Sequence, residues 1–572
     1  LSILKNLKDA KTLDDLASIL GYKPSSLSFI IYKIPDAQKY SKFRLPKRSG
    51  GEREISAPTA QLKRLQRHLA NALYACRDET DANSGRRSLS HGFRRKHSIV
   101  TNARRHKRRR YVLNLDLQDF FPTFNFGRVR GFFIHNNDFK LHEKVATIIA
   151  QIACFENTLP QGSPCSPIIA DLIAHMLDVR LAQLAKQHQL TYSRYADDIT
   201  FSTSRKEFPA AVAAPVSAGS PQWALGADLT KVIQKAGLTV NPDKTRMQFR
   251  MSRQLVTGLT VNAKVNIRPE YYRLARAMCH RLFGTGVYHR PAAPCDGPPK
   301  DPEVITSLGP IGGILSHIHH VKNTIDDRKE PEKRKDATAA RKLYARFLKY
   351  RYFVRLERPL IICEGKTDNT YLKSAIRSLA AFHPKLGAFD GKIFNSAVGF
   401  FNHGGEASRV LDLGGGTGAL NYFVIKGRYD SDIHSFKHRP LEHPVIVLID
   451  NDDGAKDLLK VLSKNYGTKV ELQSSEPFFH ITHNLYLVKT PEKGATGASC
   501  IEDFFDPALL ATEVDGKKFN PKKDHGADGE YGKFVFAEKV VRPNAGTINF
   551  ADFAPLLQRI VAVIDHYQPP AA

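Results

Sequence analysis

The segment Ser193-Arg-Tyr-Ala-Asp-Asp-Ile-Thr-Phe-Ser202 sets two adjacent carboxylates inside an otherwise β-prone run, and that pairing constrains the fold more than any other feature. Successive side chains on a strand point to opposite faces, so Asp197 and Asp198 cannot both face solvent if one face is covered. A tight hairpin resolves the conflict. Residues 192–195 are predicted to form one strand and residues 199–202 the next, with the acids at the tip, where a divalent cation can neutralise them. Upstream, YVLNLDLQDFFPTF predicts a strand over 111–115 that ends at Asp116, which supplies a third acid.

The 572 residues exceed one ordinary core, and about 150 residues per domain gives three or four units. Lys and Arg number 85 against 57 Asp and Glu, a formal charge of +28 that points to a polyanionic partner, with nucleic acid the leading class. The seven cysteines are odd in number and never paired at metal-ligand spacing, which argues against a disulfide scaffold or a zinc module and fits a reducing cytoplasm. No long apolar span and no secretory pattern is evident, so neither a membrane nor an exported location is expected. Position 1 is not Met, which suggests that the natural chain begins a few residues earlier.

Residues 1–42 read as short helices. Within them LDDLASILGYKPSSLSFII resembles a helix-turn-helix, expected to be a helical pair packed on the next domain rather than a DNA reader. From 43 to 268 strand-like and helical runs alternate, an α+β pattern, with FPAAVAAPVSAGSPQWALG a surface insertion. Residues 269–358 are mainly helical, interrupted by the Pro-rich loop HRPAAPCDGPPKDPE. Apolar strands at 360–363 and 444–449, each followed by acids, open an α/β unit with a mainly parallel sheet over 359–572.

Three acids at strand ends suit two magnesium ions, one activating an attacking hydroxyl and the other stabilising a leaving pyrophosphate. Between the acids lies LPQGSPCSP, a Pro-Gly loop opening a helix. The ordered set Arg53 in SGGEREISAP, Asp116, LPQGSP, YADD, Lys244 in NPDKT and VTGLTVN resembles the successive motifs of reverse transcriptases. The resemblance implies a right-hand polymerase of fingers, palm and helical thumb. By it Arg53 contacts the triphosphate, Phe121 is the steric gate against a 2′-hydroxyl, Gln161 and Gly162 meet the template–nucleotide pair, Lys244 is a pyrophosphate-side acid and residues 256–262 are the primer grip. Asn102-Ala-Arg-Arg-His106 and VTGLTVN further resemble the bacterial retron enzymes. That implies deoxynucleoside triphosphates as substrates and a cognate non-coding RNA, copied from an internal guanosine into branched RNA-linked DNA. RNA contact is expected from Asn102, His106 and the thumb residues Tyr271, Tyr272, Arg273, Arg276 and Arg281. The eleven Lys or Arg and no acid across residues 86–110 point the same way.

In the C-terminal unit, LIICEGKTDNTYL puts Glu364 after a strand, and VIVLIDNDDGAKDLL puts Asp450 and Asp452 after another. Ligands gather at the carboxyl ends of parallel strands, so these acids are expected to converge. With LDLGGGTG read as an intervening glycine-rich strand end, the set resembles a Toprim domain. That implies a nuclease holding one or two magnesium ions, with Glu364 the acid-base group, Asp450 and Asp452 metal ligands, and Glu502 or Asp503 a downstream acid. A polymerase fused to such a domain resembles a retron subgroup and implies antiviral defence. In it the RNA-DNA product restrains the nuclease from its nucleic-acid target. Rival readings are a group II intron-like or diversity-generating enzyme and a scaffold with an inert C-terminal site; a homo-oligomer is left open.

Overall fold

In the computed structural model, which describes all residues except 1, 47–49, 85–87, 291–302, 425–427, 468, 495–496, 522–528 and 571–572, contacts divide the chain into two units. The first is Leu1–Tyr272 with Val321–Asp327, the second Arg273–His320 with Arg328–Ala572. The first opens on helices α1 (Ile3–Asp9) and α2 (Leu13–Leu20). Thr12 and Asp15 form a capping box on α2, and Gly21 ends it in the left-handed region at φ 70. Leu7, Leu16, Leu20 and Leu27 are buried in the same core as Leu65 and Leu69 of α3 (Ala60–Ser84), so the stretch resembling a helix-turn-helix is a packed brace.

Between these helices β1 (Tyr40–Pro46) and β2 (Glu52–Pro58) form an antiparallel hairpin. The central sheet is built from β3 (Tyr111–Asp116), β4 (Thr191–Tyr195), β5 (Asp198–Thr203) and β6 (Arg246–Phe249), in the order β4-β5-β3-β6 and antiparallel throughout. Every residue of β5 after Asp198 is buried. A strand covered on both faces loses its alternation, which is why Ile199-Thr-Phe-Ser-Thr mixes apolar and small polar groups. Helix α4 (Ser166–Gln187) packs on β4 and buries Ile168, Ile169, Leu172, Leu177 and Leu181. The Ala-, Pro- and Ser-rich insertion contains a small hairpin, Ala213–Pro215 with Trp223–Leu225.

Helix α5 (Pro269–Thr285) begins in the first unit; the second continues with α6 (Leu308–Ile325, ending in the first) and α7 (Ala339–Lys349). Most of the Pro-rich loop, 291–302, lies outside the described residues; its flanks pair as Tyr288–Arg290 with Glu303–Ile305. The five-stranded sheet comprises β7 (Leu360–Cys363), β8 (Gly399–Phe400), β9 (Val445–Ile449), β10 (Phe479–Thr482) and β11 (Leu485–Lys489), in the order β8-β7-β9-β11-β10. Only the β10 pairing is antiparallel. The wholly buried LIIC and VIVLI runs fill its centre, as continuous apolar strands of a covered parallel sheet do. The glycine-rich segment departs from expectation: it joins helix Glu406–Leu411 to helix Thr417–Phe423 and is no strand end. Gly415 and Gly416 sit at φ 95 and 87, which an extended strand does not accommodate.

Leu448 is 2% exposed in the second core, whereas Met251 is 97% exposed. Leu448→Ala is therefore expected to lower unfolding free energy by about 2–5 kcal/mol and Met251→Ala by no more than about 0.5 kcal/mol, as read by chemical denaturation.

Candidate active sites

Pairing of β3 with β5 sets Asp116 directly opposite Asp198, and pairing of β4 with β5 sets Tyr195 opposite Asp198. Ala196 and Asp197 are the two turn residues between. Leu117 N–H donates to the Asp197 carbonyl at 3.0 Å, tying the turn to the end of β3. The three acids thus come together, and Lys244 joins them, its Nζ 2.9 and 3.0 Å from the two oxygens of Asp116. Burial raises the Asp197 carboxyl and Asp116 adds repulsion, opposed by Lys244 and Arg53. Burial, then repulsion from Asp197 and Asp116, pushes Asp198 up to about 7. Asp198 is the exposed first residue of the interior strand β5, with Asp116 directly opposite and Asp197 adjoining, so repulsion acts on it at short range.

A cavity of about 1110 Å³ opens beside the acids, lined by Arg53, Asp116, Phe121, Gln161, Asp197 and Lys244 among others. Ser56 N–H donates 2.8 Å to the Gln161 carbonyl, pinning the loop before α4 to β2. Gly162 is required by this approach: at φ 128, an added Cβ would lie 2.5 Å from the Ser56 carbonyl oxygen. In residues 256–262, Thr257 and Gly258 have φ 46 and 81 in the two-residue turn between Leu255–Val256 and Leu259–Thr260.

Asn102 and His106 correct an expectation. Both are fully buried and cannot meet RNA in this conformation. His106 Nδ1 lies 2.7 Å from Ser202 Oγ and Nε2 2.7 Å from Ser193 Oγ, while Ser193 Oγ donates to Asn102 Oδ1 at 2.6 Å. Burial pushes the imidazole down to about 3, with Arg105 and Arg109 adding to the shift. The element braces β4 and β5 from behind; its serine partners carried no signal in the sequence. Arg273 and Arg276 are exposed, while Tyr271 and Tyr272 are half-buried. In the basic run, Arg86 and Arg87 lie outside the described residues, Arg94 and Arg95 pair with Asp81 and Asp78, and Lys107, Arg108 and Arg110 remain exposed.

In the second unit the register Cys363↔Leu448 brings the ends of β7 and β9 side by side. Asp450 N–H accordingly donates to Glu364 Oε2 at 3.3 Å, and Ile501 N–H donates to Asp450 Oδ1 at 2.9 Å. Glu502 is 2% exposed and pairs at 3.0 Å with Lys533, a residue that sequence reasoning missed. Burial pushes Glu364 up to about 7 and Asp450 up to about 8, the latter helped by Asp368, Glu502 and Glu364 and opposed by Lys533. Burial raises Asp368 and Glu502 as well. Asp452 turns its carboxylate to Gly454 N–H at 2.8 Å, and Asp503 caps Cys500 N–H at 2.7 Å, so Glu502 rather than Asp503 joins the cluster. Gly416 N–H donates to the Glu364 carbonyl at 2.8 Å.

Among the described residues no three His, Cys, Asp or Glu side chains already stand in metal-ligating geometry. The donor chemistry of both clusters, carboxylate oxygen with no soft ligand, nonetheless fits a hard cation such as magnesium.

Residues 45–261 match the family described as reverse transcriptase (RNA-dependent DNA polymerase). Retron Mx65 reverse transcriptase of Myxococcus xanthus is 34% identical over 47% of this chain and 63% of its own length, and retron Mx162 reverse transcriptase of the same organism 33% identical over 45% and 54%. The chain thus spans less than two thirds of either. Retron Ec86 reverse transcriptase of Escherichia coli is 31% identical over 47% of this chain and 78% of its own length. With that much of a retron enzyme matched and the acids set in register on one antiparallel sheet, the chain belongs to the retron reverse transcriptase family.

Proposed function

We propose that the first unit is an RNA-directed DNA polymerase that copies a cognate non-coding RNA into branched RNA-linked single-stranded DNA. The observation that carries this reading is the placement of Asp116, Asp197 and Asp198 at one sheet end beside the large cleft. These three would hold magnesium, which supplies activation of the attacking hydroxyl and charge neutralisation at the leaving pyrophosphate. Arg53 receives the triphosphate from β2. Gln161 and Gly162 present backbone to the template–nucleotide pair, and Phe121 fills the space of a 2′-hydroxyl. Lys244 moves from Asp116 to the pyrophosphate as its charge develops. The +28 charge supplies affinity for the RNA backbone independent of sequence.

For the second unit the reading is a Toprim-type nuclease acting in antiviral defence, restrained by the RNA-DNA product. Its support is the convergence of Glu364 and Asp450 at the ends of adjacent parallel strands, with Glu502 and Asp368 close enough to raise Asp450. Glu364 serves as the acid-base group, and Asp450 and Asp452 would hold magnesium. Asp452 caps Gly454 N–H through one oxygen, which leaves its other oxygen for a metal, and lies near enough to raise Glu364. No described helix is long and apolar enough to cross a membrane. A cytoplasmic setting is part of the same proposal.

Asp197→Asn or Asp198→Asn is expected to abolish RNA-templated DNA synthesis in a primer-extension assay while leaving RNA binding intact, because the acids hold metal and the basic surface holds phosphate. Wild-type extension by either variant would remove the assignment. Phe121→Ala should admit ribonucleotides, read as the ratio of ribo- to deoxynucleotide incorporation; an unchanged ratio places the gate elsewhere. Magnesium-dependent cleavage of RNA or DNA by the full chain should disappear in Glu364→Ala, and equal cleavage by both proteins would exclude Glu364 as the acid-base group.

A further inference from the structure

Arg194 precedes Tyr195 on β4, and it is fully buried. A guanidinium out of water needs its charge balanced and its donors bonded. Nε and one terminal nitrogen donate to the two oxygens of Asp178 at 2.7 and 2.8 Å, and that terminal nitrogen also reaches Asp171 at 2.9 Å. The other terminal nitrogen donates to the Ala196 carbonyl at 2.9 Å. Tyr192 donates its hydroxyl to Asp178 at 2.7 Å. Asp171 and Asp178, both fully buried, lie seven residues apart on α4 and so share one helix face. Arg77 stands 3.9 Å from the second oxygen of Asp171, so two cations balance two carboxylates.

Buried ion clusters are poor sources of stability compared with apolar packing of the same volume. This one ties a turn to a helix. Ala196 has φ 58, a left-handed conformation strained for a residue with a Cβ, and such strain persists only where the surroundings over-determine it. Gly92 closes on the turn from another direction: a Cβ there would lie 2.4 Å from Ala196 N and 3.0 Å from the Tyr195 carbonyl carbon. The segment before it pairs with Arg194 itself, Arg194 N–H to the Leu89 carbonyl at 3.1 Å and His91 N–H to the Arg194 carbonyl at 2.8 Å. Asp197 is the next residue after this clamped carbonyl.

We propose that Arg194 is a positioning residue for DNA synthesis. By gripping Asp171 and Asp178 on α4 and the Ala196 carbonyl in the turn, it fixes Asp197 and Asp198 relative to the loop that opens α4 and carries Gln161. A lysine at this position has one nitrogen and cannot bind both oxygens of Asp178 and the Ala196 carbonyl together. The inference rests on the polymerase reading, and its test must separate the two.

The measurement is steady-state primer extension on an RNA template by the full-length chain, comparing wild type, Arg194→Lys, Asp171→Asn and Asp198→Asn. Arg194→Lys is expected to lower kcat by about 10²-fold, the order that a small misplacement of reacting groups brings. Nucleotide KM, primer–template affinity and a cooperative thermal transition should be retained. Asp171→Asn, which leaves the paired bonds to Asp178, should show a smaller loss of the same kind. A folded Arg194→Lys with wild-type kcat, or with its loss confined to KM or affinity, overturns the proposal. If neither variant folds, the cluster serves only the core and the proposal falls. Wild-type synthesis by Asp198→Asn would instead overturn the polymerase reading, whereas an inactive Asp198→Asn beside a fully active Arg194→Lys removes the positioning role alone.

Discussion

Repulsion between carboxylates crowded at strand ends is the constraint around which both units are arranged. Like charges directly opposite each other on neighbouring strands destabilise a sheet, yet Asp116 faces Asp198 across β3 and β5 with Asp197 in the adjoining turn. The second unit repeats the problem on a parallel sheet, where Glu364 and Asp450 end neighbouring strands close to Asp368 and Glu502. In each unit one lysine ammonium enters the cluster, Lys244 in the first and Lys533 in the second. Each lysine comes from outside the strands that carry the acids, so the sheet sets the charges and a separate segment balances them.

Holding such groups requires a backbone that cannot relax away from them. The buried strands β5, β7 and β9 provide this through packing on both faces. Around the polymerase acids the remaining freedom is removed by close backbone approach: Gly162 against Ser56 on one side of the cleft and Gly92 against Ala196 behind the turn. These contacts exclude a Cβ, so the cleft depends on glycines that carry no chemistry of their own.

Much of this was legible in the sequence because the chemistry is local. The acids at 364 and 450 follow wholly apolar runs of the kind a covered parallel strand needs, those at 116, 197 and 198 follow β-prone runs, and the hairpin is implied by two charges where one face must be buried. Features that failed were those decided by distant neighbours. Asn102 and His106 read as polar groups available to RNA, and only the arrival of Ser193 and Ser202 from two strands makes them internal. LDLGGGTG has the composition of a strand followed by a loop, but the positive φ of its glycines turns one helix into another. Lys533 lies 31 residues beyond Glu502 with no local pattern to connect them. Arg194 lies three residues before Asp197, and its proposed role depends on Asp171 and Asp178, which the helical period of α4 places on one face without indicating what they meet.

The buried imidazole behind the hairpin ties the first unit to proton activity. Burial holds His106 neutral between its two serine hydroxyls, and His91, 6% exposed, is likewise pushed down to about 3 by burial. Both are depressed below the value of about 6.5 that they regain on unfolding. Their contribution is therefore fully present above about pH 6.5 and drains away as pH falls toward 3, because the unfolded chain takes up protons that the folded one refuses. Each can remove up to about 1.4 kcal/mol per pH unit across that window. Mild acid is thus expected to loosen the support behind the Ala196-Asp197 turn as well as to protonate the carboxylates in front of it.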